Sequence, residues 1–264
     1  MSTSPKIGIV GGSGWLGGAI ASAIFDQGVA KPADLKLSYR SQRPHDFADC
    51  FWTHDNQQLA DRCDIIILAV RPQDWLSLDM KAPGKLLISM MAGIALNRLQ
   101  DRHQTQRVIR AMPNAAAKVR QSYTPWITSR AVTQEDRSLT RMLFSACGQQ
   151  DEIEAENHLD YLTGLSGSGP ALPALLGCGM IEGAVNYGIA ADIASRAVTA
   201  VLVGTGALLQ QKAQTPQEIV ACYKAYDGTT TAALQAMKEA QVYGWITAGL
   251  SAALLKASNM EAAA

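Results

Sequence analysis

Neither sign of charge predominates in this chain: lysine plus arginine and aspartate plus glutamate both number 23. Such a balance offers no field to draw in nucleic acid or an anionic membrane surface, so neither is expected as a partner. Cysteine is scarce and scattered. Cys50, Cys63, Cys147, Cys178 and Cys222 contain no CxxC pair and are odd in number, which argues against a disulfide framework or zinc site and for reduced thiols in the cytoplasm. The four histidines, His45, His54, His103 and His158, show no ligand spacing, and no metal is expected. The opening MSTSPKIGIV has no charged leader followed by an apolar run and cleavage site, which fits the same cytoplasmic expectation. The longest uncharged apolar stretch, residues 197–209 between Arg196 and Lys212, is too short to span a bilayer and reads as a buried helix.

What is present falls into two grammars. Up to about residue 156 short β-rich runs alternate with helical segments: KIGIV (6–10), LKLSY (35–39), DIIILAV (64–70), KLLISMM (85–91) and RVIRAM (107–112). YTPWITS (123–129), a helix over 133–146 and QDEIEAE (150–156) continue the series. Runs that are apolar throughout, such as DIIILAV, suit strands covered on both faces, and the βα alternation predicts a doubly wound parallel sheet. From residue 157 to 264 the β signal stops. Helices are expected over 170–187, 190–211, 215–224 and 229–257, punctuated by Gly188, Gly228 and Gly244. Several are apolar around most of their circumference, more than one such domain can bury alone, so the fold class is an α/β domain over 1–156 followed by an all-α dimerisation domain over 157–264.

The first strand leads into GGSGWLGGAI (11–20), which holds GxGxxG as Gly12, Gly14 and Gly17. That pattern is weak alone but sits here in the strand-to-helix context that makes it a dinucleotide cradle, with Ser13, Trp15 and Leu16 completing the loop. Gly12 permits the turn, Gly14 lets the backbone approach a pyrophosphate, and Gly17 brings helix and strand together. The second strand ends Ser38-Tyr39-Arg40-Ser41 with no carboxylate before Asp46. A guanidinium and a hydroxyl suit a ribose 2′-phosphate, so NADPH is expected ahead of NADH.

Five further strings occur in order: AVRP (69–72), SMMAG (89–93), RAMPN (110–114), LSGSGPA (165–171) and DGTTTAAL (227–234). Together they resemble the pyrroline-5-carboxylate reductase family, in register over nearly the whole chain. The resemblance implies a Rossmann-type NADPH-binding domain, a helical dimerisation domain and a homodimer or higher homo-oligomer. By position it implies cofactor contacts from Asn56, Ala69, Val70, Arg71, Pro72 and Ala92. It implies that the loop at 225–231 holds the substrate: Gly228 and Thr229 on its carboxylate, Thr230 as the catalytic hydroxyl on its ring nitrogen, with Ser166 and Ser168 lining the site. The implied reaction is reduction of 1-pyrroline-5-carboxylate to proline. Ala225, Tyr226 and Asp227 stand where the family carries Ser-Pro-Gly, which leaves open a different cyclic imino acid, or a non-catalytic regulatory relative. A 3-hydroxyacid dehydrogenase shares the glycine loop but uses a lysine at the start of its helical domain; no lysine lies between Lys118 and Lys212.

Overall fold

Ile65, Ile66, Ile67 and Leu68 are each almost wholly buried, and they alternate between two separate cores. Successive strand side chains point to opposite faces. Ile65 and Ile67 therefore join Ile9, Ile20 and Ile109 on one face, while Ile66 and Leu68 join Leu59, Trp75 and Leu99 on the other. An unbroken apolar run is what a strand needs when both faces are dry, and each such side chain contributes about 1.5–3 kcal/mol.

The protein is seen here as a computed structural model describing residues 4–212, 215–224 and 228–263. Eight strands form one sheet: β1 Ile7–Val10, β2 Leu35–Ser38, β3 Phe51–Thr53, β4 Ile65–Leu68, β5 Leu86–Ser89, β6 Val108–Ala111, β7 Ser122–Thr128 and β8 Gly148–Glu152. Their order is β3-β2-β1-β4-β5-β6-β7-β8. All neighbours are parallel except β6 and β7, which pair antiparallel with Arg110 opposite Ile127. The order reverses between β1 and β4, and the glycine loop leaves β1 at that switch point. Helices α1 Trp15–Asp26, α2 Asn56–Asp61, α3 Pro72–Trp75, α4 Leu96–His103, α5 Gln134–Ser145 and α6 Glu156–Leu162 accompany the sheet.

Trp75 and His103 share a buried polar contact in this part. Trp75 Nε1 donates to His103 Nε2 at 2.9 Å, so Nδ1 carries the proton towards Met80 O, 2.9 Å away. Burial keeps that imidazole below its ordinary pKa and hence neutral. Burial also pushes the thiols of Cys63 and Cys147 up to about 11 and about 12, which leaves them unreactive near neutrality.

The chain divides into two compact units. One runs through Ser168 and takes in the stretch from Ser251 onward; the other is Gly169–Leu250. Downstream of a π-helical turn at Thr163–Gly167 come α7 Ala171–Asn186, α8 Ala191–Lys212, α9 Pro216–Lys224, α10 Thr229–Glu239 and α11 Val242–Ala263. Inside the second unit α7 packs on α8, where a Cβ at Gly177 would stand 3.0 Å from Leu202 Cδ1. The helical stretch expected over 229–257, punctuated at Gly244, is two helices that part at Gln241, which takes a left-handed φ of 61°. Gly244, expected to be the break, lies inside α11.

The helix expected to be buried is not, within one chain. Leu175, Val203 and Trp245 are 71%, 68% and 67% exposed, and α8 buries Ala194 and Val198 but little else. Counting only the run after Arg196 also understated its length: Ala191–Gln211, with a mean hydropathy of 1.4, is long and apolar enough to cross a membrane.

Helix α5 is fixed by a reciprocal cap. Thr133 N donates to Asp136 Oδ2 at 2.9 Å and Asp136 N to Thr133 Oγ1 at 3.2 Å. Arg107 adds Nε to the same carboxylate at 2.9 Å and a second bond from Nη2. Burial pushes the Asp136 carboxyl up, but Arg107 and the Thr133 N–H and hydroxyl outweigh it and hold the value below the ordinary one. A lowered folded value stabilises above the unfolded pKa, about 3.9, and the benefit is lost as pH falls through the folded value. Asp136→Asn is expected to cost about 1–3 kcal/mol at pH 7. In urea denaturation the gap to wild type should narrow below about pH 4; a gap that widens on acidification would refute this account.

Candidate functional site

Gly11 turns the chain out of β1 with φ +81°, and Gly14 N closes the turn onto Gly11 O at 2.9 Å. The second strand fastens the loop: Ser38 Oγ accepts from Gly11 N at 3.0 Å and Ser38 O from Ser13 N at 3.3 Å. A Cβ at Gly17 would overlap Gly11 O, so only glycine lets α1 come this close to the strand. Gly14 is the N-cap of α1, with no side-chain cap and no acidic residue in the first turn. The first N–H groups of α1 are left for an incoming anion.

A cleft of about 260 Å³ beside the loop is lined by Gly11, Tyr39, Arg40, Asn56, Val70 and Asp74, among others. Asn56 begins α2, and its Oδ1 is buried with no partner. An orphaned acceptor on a residue that lines the cleft suits a ligand hydroxyl or amino group. Arg71 caps the N-terminus of α3 and Pro72 takes its first position. Ala69 N donates to Val10 O at 2.9 Å, tying β4 to the base of the loop. Ser41 is exposed beyond β2. On the other side, Gly12, Ser13, Gly14 and Trp15 share a hollow of about 560 Å³ with Lys118, a cation absent from the expected set. Leu16 packs against the core below, and Ala92 packs with Met112, Ile127 and Leu159.

Two of the motif strings meet through Asn114. Its Nδ2 donates to Ser166 O at 2.9 Å, its Oδ1 accepts from Ala116 N at 2.9 Å, and its N–H donates to Ser122 Oγ at 3.0 Å. Ser166 O belongs to the π-helical turn, closed by Ser168 N on Thr163 O at 2.9 Å, while the Ser166 hydroxyl donates to Leu162 O at 2.9 Å. Ser168 itself is exposed. The serines do not cap α7, whose N-cap is Pro170 without a side-chain bond.

In the second unit, Gly228 is the N-cap of α10 in an extended conformation, φ −111° and ψ −160°, again with no side-chain cap. Thr229 and Thr230 occupy the first turn and are exposed; Thr231 Oγ1 is buried without a partner among the described residues. Ala225, Tyr226 and Asp227 lie outside the described residues.

Asp74, which lines the cleft, and Asn114, which joins two motif strings, were not among the expected site residues, and Asp74 left the least trace. Its carboxylate is delivered to the end of β2 by α3, far from that strand in sequence.

A glycine-walled turn at a sheet's switch point, an uncapped helix start and a cleft lined by Arg40 define a dinucleotide-binding protein of the Rossmann type. Residues 6–93 match the family described as NADP oxidoreductase, coenzyme F420-dependent, and residues 156–260 that described as pyrroline-5-carboxylate reductase dimerisation. A pyrroline-5-carboxylate reductase of Synechocystis sp. is 30% identical over 244 residues, 89% of this chain and 91% of its own. Pyrroline-5-carboxylate reductase 3 of Rattus norvegicus is 29% identical over 98% of this chain and 97% of its own. The crystal structure of the 1-pyrroline-5-carboxylate reductase from Streptococcus pyogenes superposes with a TM-score of 0.84 at 27% identity, covering 98% of this chain and 100% of that one. The chain belongs to the pyrroline-5-carboxylate reductase family.

The glycine contacts make a paired test. Gly17→Ala should weaken dinucleotide binding by roughly tenfold or more, since overpacking costs about 1–3 kcal/mol and displaces the cradle itself. Gly18→Ala, whose Cβ would stand 3.5 Å from Gly12 O, should bind almost as wild type. Equal affinities of the two variants in a fluorescence titration would contradict this reading of the loop.

Proposed function

We propose that this enzyme reduces 1-pyrroline-5-carboxylate to proline, with NADPH as the hydride donor, acting in the cytoplasm as a homodimer or larger homo-oligomer. The observation that carries the reading is membership of one family over both units, together with an uncapped α10 start bearing Gly228, Thr229 and Thr230. When bound, the dihydronicotinamide supplies a hydride to the carbon of the C=N bond. The protein's part is placement. Backbone N–H groups at the start of α10 and the Thr229 hydroxyl take the substrate carboxylate, as a helix N-terminus favours negative charge. The Thr230 hydroxyl accepts from the protonated ring nitrogen, keeping the iminium charged while its carbon is attacked. A cationic C=N group is already a strong electrophile, so no lysine or histidine acid is required, and orientation supplies much of the rate. Ser166 and Ser168 are assigned to the substrate by the family resemblance, and Asn114 holds the turn that carries Ser166.

In sequence, Tyr226 and Asp227 bring bulk and charge immediately before Gly228, which favours one second reading: a cyclic imino acid of another ring size. NADPH oxidation measured with five- and six-membered cyclic imino acids decides between them. No oxidation with any of these would leave the non-catalytic regulatory reading.

Thr230→Ala removes a hydrogen bond made only to substrate or transition state and should lower kcat/KM roughly five- to 150-fold, with NADPH affinity unchanged. Thr231→Val, which deletes a hydroxyl that has no partner, should stay within about twofold of wild type. Normal turnover by Thr230→Ala with a lowered Tm would return the threonines to a purely structural role.

The apolar exposure of α7, α8 and α11 supports assembly through the helical residues. Static light scattering at micromolar concentration should give twice the chain mass or more, and a stable monomer would overturn the assembly.

A further inference from the structure

The end of β2 offers no carboxylate in sequence, yet the folded cleft contains one. Asp74, in α3, accepts from Arg71 Nε at 2.7 Å and Arg71 Nη2 at 3.2 Å, and lies 3.4 Å from Arg40 Nη1. These bonds hold its carboxyl below the ordinary pKa range, so it is a carboxylate at neutral pH. It shares its cleft with Ser38, Tyr39, Arg40, His54 and Asn56, the residues grouped around the ends of β2 and β3. In a doubly wound fold that place receives the adenosine ribose.

Two recognition chemistries therefore converge on one atom of the cofactor. A carboxylate there accepts from a 2′-hydroxyl, whereas guanidiniums there take up a 2′-phosphate. They are not independent in this chain. Arg71 binds both Asp74 oxygens through Nε and Nη2, and Arg40 Nη1 leans towards Oδ1, so both guanidiniums share one carboxylate while each has further N–H groups to offer. A 2′-phosphate, carrying about −1.5 to −2 charges, takes up the remaining N–H groups only against like-charge repulsion from Asp74, which also draws both guanidiniums towards itself. A 2′-hydroxyl needs no displacement, because Asp74 keeps acceptor capacity while bonded to Arg71.

We propose that Asp74 is a cofactor-specificity residue. It accepts the ribose 2′-hydroxyl of NADH and competes with the 2′-phosphate of NADPH for Arg71 and Arg40, narrowing the preference for NADPH so that both dinucleotides serve. This rests on the reading of the cleft as the cofactor site. Asp74→Asn keeps the shape of the side chain, removes its charge and weakens its hold on both guanidiniums. The side chain is 31% exposed on a helix of four residues, so Tm should not move.

The test is equilibrium binding, by fluorescence or calorimetry, of NADPH, NADH, adenosine 2′-monophosphate and adenosine 5′-monophosphate to wild type and variants. Asp74→Asn should bind NADPH and the 2′-monophosphate roughly three- to tenfold more tightly and NADH at least threefold more weakly. Arg71→Gln should weaken NADPH and the 2′-monophosphate while leaving NADH within about twofold. If Asp74→Asn weakens NADPH, or weakens both dinucleotides alike, Asp74 is a scaffold for the arginines and the proposal is overturned. If wild type binds both and the variant leaves their ratio within twofold, the assignment of Asp74 fails while the proposed function stands. If wild type binds neither dinucleotide, both fail together.

Discussion

One buried guanidinium sets the geometry around the motif loops of the first unit. Arg110, on β6 and 2% exposed, pairs through Nη1 with Glu156 at 2.7 Å and through Nη2 with Asp160 at 2.9 Å, both on α6. The Glu156 oxygen also accepts from Leu96 N at 2.8 Å, so the start of α4 is held by the same charge. Two residues on from Arg110, the chain enters the Met112-Pro113-Asn114 stretch; α6 leads into the π-helical turn that Asn114 grips. The cation therefore fixes the register between two segments that are far apart in sequence. Its energetic return is modest, since desolvating three charges offsets much of their attraction, and Arg110 Nε has no partner among the described residues. What it provides is uniqueness: an apolar residue could fill the volume but would not align two carboxylates on one helix.

Much of this was legible from residues alone, and the failures have physical reasons. The runs that became β1, β4, β5 and β6 were readable because both faces of those strands are dry, and the glycine loop because its neighbours supply the right context. Strand β3 was not, since Phe51-Trp52-Thr53 is three residues long between polar segments and completes no period. The antiparallel turn of β7 left no mark either, as side-chain alternation is blind to chain direction. The break after α10 was sought at Gly244 but made at Gln241, a residue that adopts left-handed backbone without advertising it. Asp74 was invisible for the opposite reason. Its own stretch is unremarkable, and its meaning comes from Arg40, 34 positions away.

The helical unit's all-round apolar character was plain in the sequence, and covering by a second copy was the inference drawn from it. Within one chain those side chains face solvent, with Leu175 and Val203 among the most open. Hydropathy reports that a surface must be covered, not what covers it. A helix such as α8 satisfies the length and composition of a membrane span equally well. The match of residues 156–260 to a dimerisation family is what weighs towards another protein surface.

The two borders of the sheet bear on how such a protein would spoil. One is closed by the three residues of β3, and the other by β8, whose Gln149, Gln150, Asp151 and Glu152 put polar or charged groups on both faces. Neither is the long, flat, oily edge that recruits a further strand. Chains parted from their partners, in dilute storage or during synthesis, would then clump through greasy helices into amorphous, redissolvable material rather than grow ordered cross-β fibres.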